Sequence, residues 1–409
     1  MPTYLAPGIY VEEVSGGARP IEAVGTSTAG FLGIAPAPNA YVNEARAINN
    51  WSQFIRDYVE EESKSTALSH AVYGFFANGG SRCYVVNVGK RGSIAGGGRN
   101  RTGLDLLEQV DEVAIVAAPG YTDAASYDAL LSHCERLEDR VALLDAPEQV
   151  QDISRLTEVA VADAKKQDEA SADASEGQRP TSGLRPRQSD GGYGAFYFPW
   201  IRIRDPLAVD EMVDVAPSGH IAGIWAQTDA VRGVHKAPAN ELVRGVLNIS
   251  YQLTRAEQGE LNQAGVNCIR FFHREGIRVW GARTVAAGSS EWRYLNVRRL
   301  FNMIKESIAL STRWIVFEPN DYSLWKSIRR DITAFLTRLW RDGALMGRTP
   351  EQAFFVKCDE ETNPPEVIDA GQVVTLIGIA PVKPAEFIIF RISQQLPGAS
   401  AESNGDANA

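Results

Sequence analysis

The sequence predicts a mixed α/β chain of more than one domain, with extended β-strand arms near both ends. Three observations carry that expectation. Short apolar runs at 113–119, 141–147 and 195–201, the first two separated by a helical pattern over 125–137, have the alternation of a βαβ layout with a largely parallel sheet. Two amphipathic helical patterns lie close together towards the C-terminus. The stretches 4–14 and 380–392 read as strands with no hairpin partner beside them, so they must pair at long range or in another chain.

Pro7 and Gly8 precede the β-rich run of the first arm, which contains Ile9, Tyr10, Val11 and Glu12. Pro381 and Pro384 do the same for the second, with Phe387, Ile388, Ile389, Phe390 and Ile392 as its pairing residues. After the first arm, 28–34 reads as a buried strand. Helical spacing over 52–78 rests on Phe54, Tyr58, Leu68, Val72 and Phe75, and Asn78-Gly-Gly80 stops it. A strand follows at 83–88, then a glycine-rich and basic loop over 90–102. Residues 165–192 hold almost no large apolar side chain, which predicts a mobile surface insertion.

The strongest helical pattern is 321–342, where Leu324, Trp325, Ile328, Ile332, Phe335, Leu336 and Leu339 form one stripe. Asn320 is the expected N-cap and Gly343 the stop. Its outer face offers Lys326, Arg329, Arg330 and Arg341. A second helix over 291–310 sets Leu295, Leu300, Phe301, Ile304 and Ile308 against Arg293, Arg298, Arg299 and Lys305, the basic residues being read as a solvated face. Beyond Leu396 the polar composition predicts disorder.

The 409 residues carry a formal net charge of −10, unevenly distributed. Residues 278–348 hold thirteen Lys/Arg against six Asp/Glu, a net of +7, which leaves −17 for the rest. A basic module on an acidic chain suggests an acidic partner surface. No apolar run reaches 18 residues and no signal-peptide layout opens the chain, so neither membrane insertion nor export is expected. Cys83, Cys134, Cys268 and Cys358 are far apart and are read as buried thiols.

A catalytic set is not legible. Gly25-Thr-Ser-Thr-Ala29 lacks the last glycine of a nucleophile elbow. Gly92-Ser-Ile-Ala-Gly-Gly-Gly98 lacks the Lys-Ser/Thr of a phosphate loop, and the five histidines have no metal-ligand spacing. Asp145, closing an apolar strand, sits where α/β enzymes place a carboxylate, but with no second group it is read as a cap or turn residue. No cofactor and no metal are expected.

Several stretches occur in a telling order: 4–14 with Arg19-Pro-Ile-Glu-Ala-Val-Gly-Thr26, then Val279-Trp-Gly-Ala-Arg-Thr284, Asn296-Val-Arg-Arg-Leu-Phe301, Phe317-Glu-Pro-Asn320, Phe335-Leu-Thr-Arg-Leu-Trp340, Phe354-Phe-Val-Lys-Cys-Asp359 and Ala380-Pro-Val-Lys-Pro-Ala-Glu386. In that order they resemble the contractile tail sheath proteins of phages and extracellular contractile injection systems. They span about 30 residues at the front and 120 at the back. The resemblance implies a helical homopolymer around an inner tube protein, contracting from a metastable extended state, with baseplate and terminator or cap proteins as further partners. It makes Arg298, Arg299, Lys326, Arg329, Arg330 and Arg341 tube-facing candidates, and implies no direct contact with nucleic acid. Cytoplasmic assembly, a place in a virion tail or injection-system sheath, and release by lysis follow from it. The expected organisation is an arm over 1–24, an α/β region over 25–275 containing the insertion, a C-terminal module over 276–380, a strand arm over 381–395 and a tail over 396–409. The alternatives are an enzyme on an α/β scaffold, or a nucleic-acid binder using the 278–348 module.

Overall fold

The structure, a computed structural model, describes residues 20–90, 92–97, 101–161, 183–208 and 210–389. Its strands in chain order are β1 (Ala29–Gly33), β2 (Ala45–Ile48), β3 (Cys83–Asn87), β4 (Ile115–Ala117), β5 (Val141–Asp145), β6 (Gly194–Phe198), β7 (Ile201–Arg204), β8 (Met212–Val215), β9 (Glu241–Leu242), β10 (Val246–Ile249), β11 (Val266–Phe272), β12 (Gly276–Trp280), β13 (Phe354–Lys357) and β14 (Leu376–Ile379). The helices are α1 (Trp51–Tyr58), α2 (Ala67–Ala77), α3 (Ala124–Leu137), α4 (Ser218–Arg232), α5 (Arg255–Gln263), α6 (Leu295–Ser311), α7 (Tyr322–Arg341) and the short α8 (Pro350–Ala353) and α9 (Pro365–Asp369).

Nine strands form one sheet in the order β2-β3-β1-β4-β5-β6-β11-β12-β9. Its centre, from β3 through β11, is parallel, as the alternation of apolar runs and helices requires. Side chains alternate across it. Phe31, Val85, Leu143 and Tyr197 join one core with Phe54, Val72, Phe75 and Trp225, while Leu32, Val86, Leu144 and Phe196 join another with Tyr127, Leu130, Leu131 and Leu261. So α1, α2 and α4 cover one face, and α3 and α5 the other. On the first face α2 and α4 pack almost backbone to backbone. A Cβ on Gly219 would lie 2.2 Å from Ala71 Cα, so only glycine fits there.

The helical pattern over 52–78 resolves into two helices, because Asn50 and Thr66 each cap a fresh start. Of the mobile insertion read over 165–192, residues 165–182 lie outside the described residues. Residues 183–192 pack on the body, with Arg185 bridging to Val159, Ser189 fully buried and Arg187 paired with Glu135. The sheet continues through β12, so the boundary expected at 276 cuts a hairpin: β12 pairs with β11 over five residues. The strand expected at 4–14 and the tail after 396 lie outside the described residues.

A third core belongs to the C-terminal helices and unites Leu300, Met303 and Ile304 of α6 with the stripe of α7. Every residue predicted for that stripe is buried.

Candidate functional site

The C-terminal unit builds its surface from α7. Asp321, not Asn320, is the N-cap, its carboxylate accepting from the Leu324 amide at 2.9 Å. Asn320 instead accepts from Trp325 Nε1 at 2.8 Å and donates to the Gln372 carbonyl, tying the helix start to the segment before β14. Gly343, at φ 79°, ends the helix in the left-handed region that glycine enters freely. With the apolar stripe turned inwards, Lys326, Arg330 and Arg341 are exposed and Arg329 half-exposed. Arg330 leans on Asp331 at 2.9 Å. These four cations therefore share the open side of one helix.

Arg298 and Arg299 are placed differently from the sequence expectation. Each is only 3% exposed. Arg299 makes a bidentate ion pair with Asp229 of α4, at 2.9 and 2.5 Å, and donates to the Thr26 carbonyl at 3.0 Å. Its guanidinium also lies over the Trp225 ring, 4.8 Å from the centroid. Arg298 sits among Trp292, Tyr193 and Phe301, bonded to Asn302 and to the Gly191 carbonyl, and burial lowers its pKa. Neither offers a free cation to a partner. Both fasten α6 to the sheet domain, because α6 is contacted on two sides.

Both ends of the described chain meet the C-terminal unit. Ile21 joins its core, its carbonyl accepts from Arg338 at 2.6 Å, and the Val24 amide donates to Ser307 at 3.0 Å. Residues 20–24 are thus part of that body rather than of an arm. At the other end β13 and β14 form a two-stranded antiparallel sheet. Beyond it the Val382 amide donates to the Ala344 carbonyl, Asn296 donates to the Val382 carbonyl, and Arg283 binds Glu386. Phe387, Ile388 and Ile389 then extend into solvent, 74%, 74% and 79% exposed. Three large apolar residues are thus exposed in succession. Ile9, Tyr10, Val11, Glu12, Phe390 and Ile392 lie outside the described residues.

Asp145 proves to be a capping residue. Its carboxylate accepts from the Ser218 amide at 2.8 Å and the Ser218 hydroxyl at 2.7 Å, at the start of α4, with the Gly120 amide at 3.4 Å. Burial pushes its pKa up to about 6 against the pull of those donors. All four cysteines are buried. Among the described residues no group of three or more His, Cys, Asp or Glu is arranged to hold a metal, and no helix is long and apolar enough to cross a membrane.

The phage tail sheath C-terminal domain family matches residues 288–395, and the phage tail sheath protein central domain matches 188–285. The chain is 29% identical to the PVC sheath complex of an extracellular contractile injection system in its contracted state, covering 97% of this chain and 99% of that one at a TM-score of 0.74. A chain of the contracted anti-feeding prophage baseplate is 30% identical, over 96% of this chain and 100% of that one, at a TM-score of 0.73. The chain belongs to the contractile tail sheath family. Among curated relatives, the tail sheath protein of Vibrio phage KVP40 is 34% identical over 42% of this chain and 25% of its own length. That of Salmonella phage ViI is 27% identical over 65% of this chain and 41% of its own. This sheath-family chain thus spans from a quarter to about two fifths of these phage relatives, and nearly all of the injection-system chains. Family and fold mark a structural protein rather than an enzyme.

The central-domain match extends the family likeness over 188–278, ahead of the Val279–Thr284 stretch, where the sequence alone offered the apolar run at 195–201. Asp229 was also missed as a functional residue, since an acidic residue inside an apolar helix is visible but its partner, 70 positions on, is not.

Proposed function

We propose that this protein is the repeating subunit of a contractile sheath. Copies polymerise helically around an inner tube in an extended, metastable state, then collapse into a shorter and wider cylinder that drives the tube into a target. The observation carrying this reading is the likeness, over 97% of the chain, to a sheath subunit in its contracted state. No nucleotide is needed: a bias of about 1.4 kcal/mol per subunit already favours one state tenfold, and coupling between neighbours multiplies it along the cylinder. The arms join neighbours by strand addition. Lys326, Arg329, Arg330 and Arg341 face an acidic tube exterior, with individually weak exposed pairs that release on contraction. Likeness to a chain of a contracted baseplate favours the baseplate as one partner; a terminal cap is the partner a sheath of finite length would need at its other end. Assembly takes place in the cytoplasm, with release of the particle by lysis. Sedimentation tests the reading: purified protein is expected to pellet as a polymer in a concentration-dependent way, and a strictly monomeric species at every concentration would refute it.

A further inference from the structure

The C-terminal segment does not leave the body where its sheet ends. After β14 it is held to the C-terminal unit by the Leu345 to Pro381 bridge, the Val382 amide to the Ala344 carbonyl at 3.2 Å, and Asn296 Nδ2 to the Val382 carbonyl at 3.0 Å. It then crosses to the other domain. Arg283, immediately after β12 of the nine-stranded sheet, grips Glu386 with both ends of its fork, Nε to Oε1 at 3.0 Å and Nη2 to Oε2 at 2.5 Å. Arg283 is itself pre-set: its Nη1 donates to the Asn262 carbonyl at 2.7 Å, and Asn267 bonds both its amide and its carbonyl.

Between the two anchors the hold is slight. Lys383 and Ala385 are exposed, and among the described residues no backbone hydrogen bond fixes 383–386. A cavity of about 610 Å³ lies beneath, lined by Gln258, Asn262, Trp280 and Asn296 from the body and by Pro384 and Phe387 from the strap.

We propose that the Arg283–Glu386 pair is a latch that sets the free length of the C-terminal arm. Latched, the arm departs from the sheet domain after Glu386. Unlatched, it departs from the C-terminal unit after Val382 and gains four residues, which reach roughly 13 Å when extended. This rests on the sheath reading for its purpose, since two packing states of a cylinder ask an arm to span two distances, but the latch is testable without it.

Because the native cysteines are buried, new surface cysteines can be spin-labelled selectively. In the full-length chain carrying His273→Cys and Ile389→Cys, diluted with unlabelled protein, pulsed dipolar spectroscopy should give one narrow distance. Glu386→Gln and Arg283→Met should each broaden the distribution, extending it by up to about 13 Å, and the double variant should broaden it no further, as expected for one shared interaction. A distribution in Glu386→Gln as narrow as wild type, or additive broadening in the double variant, overturns the latch. Latch-dependent distances in a protein that never polymerises would leave the latch standing and sink the sheath reading.

Discussion

Arg299 and Asp229 show what single residues carry here. Their pair is almost wholly buried, so removing the acid leaves a desolvated cation with no compensating charge. Asp229→Ala should destabilise the fold by about 3–5 kcal/mol, read by urea denaturation; a loss under about 1 kcal/mol would show that the pair is not an anchor. Asp145 gives a pH test. Its folded pKa, raised from 3.8 to about 6 by burial, makes its contribution fully present below the unfolded value and lost as pH rises through about 6. Relative to Asp145→Asn, the wild type should therefore gain about 1–1.5 kcal/mol between pH 7.5 and pH 5. An unchanged difference across that window would contradict the assignment. The sequence read Asp145 as a cap or turn residue because no second catalytic group accompanied it. It misplaced Arg298 and Arg299, because charge at helical spacing looks solvated until the second neighbour of the helix is known. One signal was available: Leu295 and Ile304, nine residues apart, lie on opposite sides of a helix, and they enter two different cores.

Among the elements, α7 was legible down to each buried apolar residue, though not the buried Asp331, since a single apolar stripe with a clear stop specifies one inward face. Its open side gives a direct prediction. Reversing charge at Lys326, Arg329 and Arg330 should reduce co-sedimentation with the inner tube protein severalfold while sheath-only polymers form normally; undiminished co-sedimentation would reject this face as the tube contact. The arms were expected as detached strands; the described part of the second, 382–389, is not a strand, and where the two described ends are rooted was not legible. Packing of Ile21 and Val24 on the C-terminal helices, and the hold of Asn296 on Val382 and of Arg283 on Glu386, depend on partners 86 to 317 positions away. Truncation should accordingly be made after Glu386 rather than at Pro381, which would strip contacts from the body itself. That truncation, like deletion of residues 1–14, should leave folded monomers by circular dichroism and size exclusion. Normal polymers from either would refute strand exchange.

At the scale of the molecule, a parallel sheet domain and a helical unit are joined by buried and partly buried ion pairs, Arg299 to Asp229 and Arg283 to Glu386, with exposed apolar residues at the departing end. The βαβ half was readable from apolar runs, because strands buried on both faces leave uninterrupted hydrophobic segments. The junction was not, since its ion pairs, and the apolar packing of α6 into two cores, are purely tertiary. In the proposed sheath such a body would suit a lattice in which subunits keep their neighbours while they slide. Electron microscopy of the protein expressed alone and with its inner tube protein tests that most directly. The account predicts hollow, striated cylinders in both cases, narrower and longer in pitch when the tube is present. Dispersed monomers under both conditions, or cylinders of one unchanging geometry, would contradict it.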